Sequence, residues 1–180
     1  MEPLPNKTWL DTLADTVASY RQMIDAAINQ LSDAELHMRP APHINSVAII
    51  LRHLGGNLRS RWTDFLTSDG EKPDRNRDTE FQDWEGDRDS LLAHLDAGWD
   101  ALTSALEQID DSNIRQTMRI RGKRHTVPQA LARSITHLAY HVGQIAMIAR
   151  MVHDGEWQWS SIPPGQSAQY NERTWEANES

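Results

Sequence analysis

The segment PQALARSITHLAYHVGQIAMIARMV, residues 128–152, decides how the rest of the chain is read. Thr126 followed by Gln129 is the pattern of a capping box, and Pro128 sits in the first turn, where a missing N–H costs nothing. Leu131, Ile135, Leu138, Val142, Ile145, Ala149 and Val152 recur at steps of three or four. This predicts a helix over 127–152 with one face toward a core. His137 and His141 lie beside that stripe, so their imidazoles stand on one face about a turn apart. Such a pair can converge on a metal ion, or can be two hydrogen-bonded core histidines. Two ligands rarely make a site, so the metal reading needs a third.

Upstream, Leu10, Leu13, Val17, Tyr20, Ile24, Ile28 and Leu31 predict a first helix over 8–31, with Thr8 as its cap and Asp11 in its first turn. Ser32 to Ile44 contains Pro40 and Pro42 and reads as an extended connection. Asn45 and Ser46 can cap a second helix over 45–66, whose buried side is Val47, Ile50, Leu51, Leu54, Leu58 and Phe65. Beside it run His53, Asn57, Ser60 and Asp64, a polar strip at the edge of the core. Gly55 and Gly56 cost about 1 kcal/mol each in a helix relative to alanine, so something approaches closely there, whether a neighbouring helix or a ligand.

Residues 67–86 are polar, broken by Gly70, Pro73 and Gly86, and long for a bundle connection. A loop of that length allows the next helix to run parallel to the previous one. Leu91, Leu92, Leu95, Trp99, Leu102, Leu106 and Ile109 place that helix at 87–109, with His94 expected on its surface. Residues 110–125 carry a weak hairpin signal at Gly122-Lys123. Arg115, Arg119, Arg121, Lys123 and Arg124 read there as a solvated face rather than an anion site. Beyond Val152, Trp157 and Trp159 are expected to pack, Ser160 to Gly165 to be non-helical, and Trp175 is hard to place.

Composition narrows the classes. With 26 acidic and 18 basic residues the net charge is −8, which disfavours nucleic-acid and anionic-membrane binding. No apolar run reaches the roughly 18 residues of a membrane span, and Met1 to Trp9 has no signal-peptide core, so the expectation is a cytoplasmic protein of one domain, 1–180. Zero cysteines remove disulfides, thiolate ligands and a cysteine nucleophile.

Three amphipathic helices plus the histidine helix make an all-α four-helix bundle the economical architecture, and bundle cores accept metal sites from facing helices. Unlike His43 or His125, His53 lies inside a helix beside its apolar stripe and can meet His137 and His141 across the bundle. Three neutral imidazoles with an open position are the pattern of a catalytic rather than a closed structural site.

The stretch Asn45 to Asn57 with Arg59 to Phe65, together with His137 to Ile145, resembles the DinB-like superfamily. Within it, the chain is similar to an uncharacterised subfamily that also shares Ser161-Ile162-Pro163 and Tyr170-Asn171. The resemblance implies an up-down-down-up bundle and a divalent metal on His53, His137 and His141, with zinc or nickel favoured over iron or manganese. It also implies a thiol-dependent transferase using a low-molecular-weight thiol such as bacillithiol, mycothiol or glutathione. A cysteine-free chain suits a thiol brought in by a cosubstrate. Asn57, Tyr140 and Gln144 are candidates for hydrogen bonds to ligands or substrate. Two rival readings stand beside it. One is a metal-dependent hydrolase, disfavoured because no glutamate lies near either histidine motif. The other is a non-catalytic metal-binding or interaction protein. A homodimer is expected under each.

Overall fold

The computed structural model describes residues 8–179, with side chains described as far as Thr174. Met1 to Lys7, part of the amino-terminal stretch considered above, and the Trp175 side chain lie outside the described residues. Helix α1 spans Trp9–Ile28, and the Thr8/Asp11 capping box opens it. Helix α3 spans Val47–Trp62, α4 Arg88–Gln108 and α5 Val127–Val152, capped by Ser46, Asp87 and Thr126. Ahead of α5 lies a two-stranded antiparallel hairpin, β1 (Thr117–Ile120) and β2 (Lys123–Thr126). Its turn is Arg121-Gly122, both with positive φ of 52° and 75°, one residue earlier than the sequence signal.

Three elements differ from expectation. The connection after α1 is not extended throughout, because Asp33–His37 forms a short helix, α2, with Ser32 and Glu35 as a reciprocal capping box. The buried Leu36 holds it against the core. Helix α3 stops at Trp62 rather than 66, since Asp64 takes a left-handed conformation, φ 48°, that ends helical bonding. The tail is not without regular structure: after Gly165, φ 81°, Ser167–Glu179 forms helix α6. Trp157 packs against the core while Trp159 is 38% exposed under the Arg150 guanidinium.

Contacts along the helices give their directions. Arg52 and Gly55 of α3 meet His94 and Gly98 of α4 in rising order, so the two run parallel. His53 of α3 meets His141 and His137 while Trp62, further along, donates to Ser134 Oγ at 2.9 Å, so α3 and α5 are antiparallel. Arg21 pairs with Asp96, and Arg88 reaches the Ile28 carbonyl, which sets α1 against α4. The carboxyl ends of α1 and α5 are tied by mutual bonds between Gln30 and Gln158. The bundle is therefore up-down-down-up, as the sequence implied.

Helix α3 is the centre of this arrangement: 12 of its 16 residues are buried. A helix with so few exposed positions must be enclosed on nearly every side, its buried polar groups included. Helix α4 covers one flank, α5 another, and the 67–86 loop closes over a third. Gly98 permits the α3–α4 approach, because a Cβ there would stand 2.4 Å from the Gly55 carbonyl oxygen. Gly143, on the exposed side of α5, has nothing within 4 Å of a built Cβ. Gly98→Ala should therefore destabilise the protein by about 1–3 kcal/mol, since backbone cannot yield as a side chain does. Gly143→Ala should stabilise it by about 0.5–1 kcal/mol through helix propensity. Urea unfolding of both variants measures this, and a neutral Gly98→Ala would contradict the packing described.

Candidate metal centre

His137 and His141 are one turn apart on α5, and His53 faces them from α3. Their Nε2 atoms converge: His53 to His137 is 3.2 Å, His141 to His137 is 3.2 Å, and the three donor atoms lie within 4.8 Å of one another. His53 and His141 are buried and His137 is half-buried.

The outer nitrogens fix the tautomers. His53 Nδ1 donates to Glu80 Oε2 at 2.8 Å, and His141 Nδ1 donates to Gln144 Oε1 at 2.8 Å. A neutral imidazole has one N–H, so both Nε2 atoms then carry lone pairs directed at His137. His137 can donate to only one of them, which leaves at least one contact in which lone pair faces lone pair. Protonation does not relieve this. Burial, with repulsion from His141 and His53, pushes the His137 pKa down to about 3, and burial with repulsion from His53 pushes His141 down to about 4. A cation on the three lone pairs does relieve it. Bonds of about 2.0–2.1 Å in a tetrahedral zinc site put ligand nitrogens about 3.3–3.4 Å apart, close to the two 3.2 Å separations from His137.

Glu80, which sequence reading missed, sits on a 3₁₀ turn, Asp78–Phe81, within the 67–86 loop. It is 6% exposed. Arg75 grips both its oxygens, Nε to Oε1 and Nη2 to Oε2, each at 2.8 Å, and Arg75 Nη1 reaches Glu71 Oε2 at 2.9 Å. Burial works to raise the Glu80 pKa, but the bonds from His53 and Arg75 outweigh it and hold the carboxyl below its usual range. Glu80 is thus an anion that orients His53. The loop that carries it is anchored at Ser60, whose hydroxyl donates to the Gly70 carbonyl and accepts from Lys72 N–H, at 3.0 and 3.1 Å. Asp69 accepts from the Arg121 and Gly122 N–H groups of the hairpin turn. Gly56 leaves room for the carboxylate: a Cβ there would be 2.4 Å from Glu80 Oε1. The two adjacent glycines therefore serve different purposes, Gly55 for helix packing and Gly56 for this contact.

Of the other sequence candidates, Gln144 bonds a histidine, and Asn57 and Tyr140 line the cavity at the cluster. Tyr140 is 62% exposed at its mouth, with its ring against His141. His94 is not the surface residue expected; it is half-buried, bonded to the Arg52 carbonyl at 3.0 Å and stacked near Trp84, away from the cluster. The expectation that no glutamate lies near the histidines is also corrected, because Glu80 is 27 residues from His53 in sequence and in contact with it in space. No periodic pattern marks Glu80. The available signal was the length of its loop, since long structureless connections in compact domains are commonly functional.

Three solved structures share the fold. YfiT from Bacillus subtilis, described as a probable metal-dependent hydrolase with an unusual four-helix bundle topology, superposes with a TM-score of 0.63 at 18% identity, covering 83% of this chain and 92% of that one. YjoA from Bacillus subtilis, described as DinB-like, gives 0.62 at 16% identity over 82% and 96%. A conserved protein from Enterococcus faecalis gives 0.61 at 17% identity over 81% and 98%. No functionally curated protein matches the chain. Among the described residues, no helix is long and apolar enough to cross a membrane. Residues 5–166 match the DUF1572 family of proteins of unknown function; the chain belongs to that family and has the DinB-like four-helix-bundle fold.

Proposed function

We propose that the protein is a divalent-metal-dependent enzyme whose ion is held by His53, His137 and His141, and that it transfers a low-molecular-weight thiol. The observation that carries the metal reading is the convergence of three Nε2 lone pairs whose outer nitrogens are already committed to Glu80 and Gln144. The cluster opens into a cavity of about 640 Å³, which suits a site with an exchangeable position better than a closed structural one. Bound there, the ion would lower the pKa of a coordinated thiol or water and supply a nucleophile at neutral pH. The chain's own residues position it: Glu80 and Gln144 hold two imidazoles in the Nδ1–H tautomer, and Arg75 keeps Glu80 ionised.

Hydrolysis is the second reading, favoured by the likeness to YfiT. Glu80 does not supply the general base such a reaction commonly uses, since His53 and Arg75 occupy both its oxygens. A thiol is acidic enough to lose its proton on coordination without a base, and for that reason thiol transfer is placed first.

Metal titration of untagged protein should give near-stoichiometric binding of zinc or nickel, abolished in His53→Ala and in the His137→Ala/His141→Ala double variant with helical circular dichroism retained. Glu80→Gln and Gly56→Ala should weaken binding about 10–100-fold by disorienting His53. Undiminished binding in His53→Ala would remove the proposal. Turnover is the second measurement: with an electrophilic acceptor, reaction should require both the metal and added bacillithiol, mycothiol or glutathione. Metal-dependent cleavage of chromogenic esters without thiol would instead favour the hydrolase.

A further inference from the structure

The cavity beside the histidines is lined by four arginines, Arg61, Arg77, Arg121 and Arg133, in a chain whose net charge is −8. Two of them are engaged: Arg77 lies over the Phe81 ring at 4.8 Å, and Arg121 pairs with Glu71 at 3.2 Å. Arg61 is different. It is only 7% exposed, yet its Nη1 has no hydrogen-bond partner among the described residues. A buried N–H group without a partner forfeits its hydration uncompensated. Burial, with repulsion from Arg133 and Arg75, accordingly lowers its pKa to about 10. The hydrogen bonds of the nearby acids go elsewhere: Glu71 is shared between Arg75 and Arg121, and Asp69 accepts from the Arg121 and Gly122 N–H groups. Arg133 is exposed on the α5 wall, on the turn before His137.

We infer that Arg61 and Arg133 form an oxyanion subsite, which takes a carboxylate or phosphoryl group of the substrate and so holds the reacting part of that molecule at the three histidines. A buried Arg61 side chain, with an unpartnered Nη1, lining a cavity shared with His53 and His137 is what carries this. A planar guanidinium fork matches either oxyanion, and a bound anion would offset the repulsion from Arg133 and Arg75. The inference adds a substrate class to the metal reading and rests on that reading for what happens to the bound molecule. Occupancy of the subsite itself needs no metal.

The test is calorimetric titration of the chelated, metal-free full-length protein with inorganic phosphate and separately with acetate at low ionic strength. Saturable binding of at least one anion is expected, weakened about tenfold or more in Arg61→Gln and in Arg133→Gln, as loss of a charge-assisted bond requires. Arg61→Lys should recover only part of it. Arg150→Gln, whose guanidinium lies over Trp159, should bind as wild type. Preference for phosphate points to a phosphorylated substrate, and preference for acetate to a carboxylate. If Arg61→Gln fails to fold, the exposed Arg133→Gln decides alone. No saturable binding of either anion, or binding unchanged in the folded arginine variants, overturns the inference. The His137→Ala/His141→Ala variant should still bind the anion. Metal binding without anion binding would sink the subsite and spare the metal proposal, whereas the opposite pattern would do the reverse.

Discussion

Three imidazole lone pairs directed at one point are an arrangement that a protein cannot leave unsupported. Each outer nitrogen that commits its proton elsewhere makes the inward repulsion worse. Here two of them do so, to Glu80 and Gln144. Such a cluster persists because the surrounding packing over-determines it. His137 and His141 keep their separation through the rigidity of α5, and His53 through the depth at which α3 is buried. The same geometry that is costly without a cation is pre-organised for one, so ligation as proposed would need little reordering.

The burial of α3 carries a second consequence. A helix enclosed on most sides cannot be covered by α4 and α5 alone, and the 67–86 loop supplies a further wall. That loop is itself a polar network: Asp69 caps the hairpin turn, Glu71 and Arg75 link the hairpin to Glu80, and Glu80 ends on His53. Every member has a partner, the condition under which a buried polar network rigidifies rather than weakens a core. The hairpin, the loop and the histidine are thus one mechanically continuous unit, although they are scattered in sequence.

What was legible in the sequence follows from which interactions are periodic. The stripe Leu131 to Val152 and the spacing of His137 and His141 report a helix and its faces directly, and Val47 to Phe65 does the same for His53. Pairing of α3 with α5 then follows from topology, with no need to know any loop. Glu80 and Arg75 were illegible because their partners are set by the path of an aperiodic loop. Helix α2 was overlooked for another reason: the Ser32/Glu35 box was present, but Pro40 and Pro42 dominated the reading of the segment. In the case of α6, the Ser160 to Gly165 stretch ends one kind of structure, and a weakly apolar sequence after it gave no stripe to announce another. His94 lacked a polar stripe because its partners are a backbone carbonyl and a tryptophan ring.

The site divides its requirements between two kinds of element. Helices α3 and α5 set the ligand distances, and these depend on contacts remote from the histidines, such as Trp62 on Ser134 and Gly98 against Gly55. The loop and hairpin set the electrostatics: which tautomer His53 adopts, where Arg121 points, and which acids remain available to Arg61. Glu71 is the joint between them, because its hydrogen bonds go to Arg75 and Arg121 and it acts on Arg61 only through space. A change in loop sequence can alter the charge presented to a substrate while the three nitrogens stay in place. Under the proposed function, the bundle would fix where chemistry occurs, and the 67–86 loop with the hairpin would fix on what.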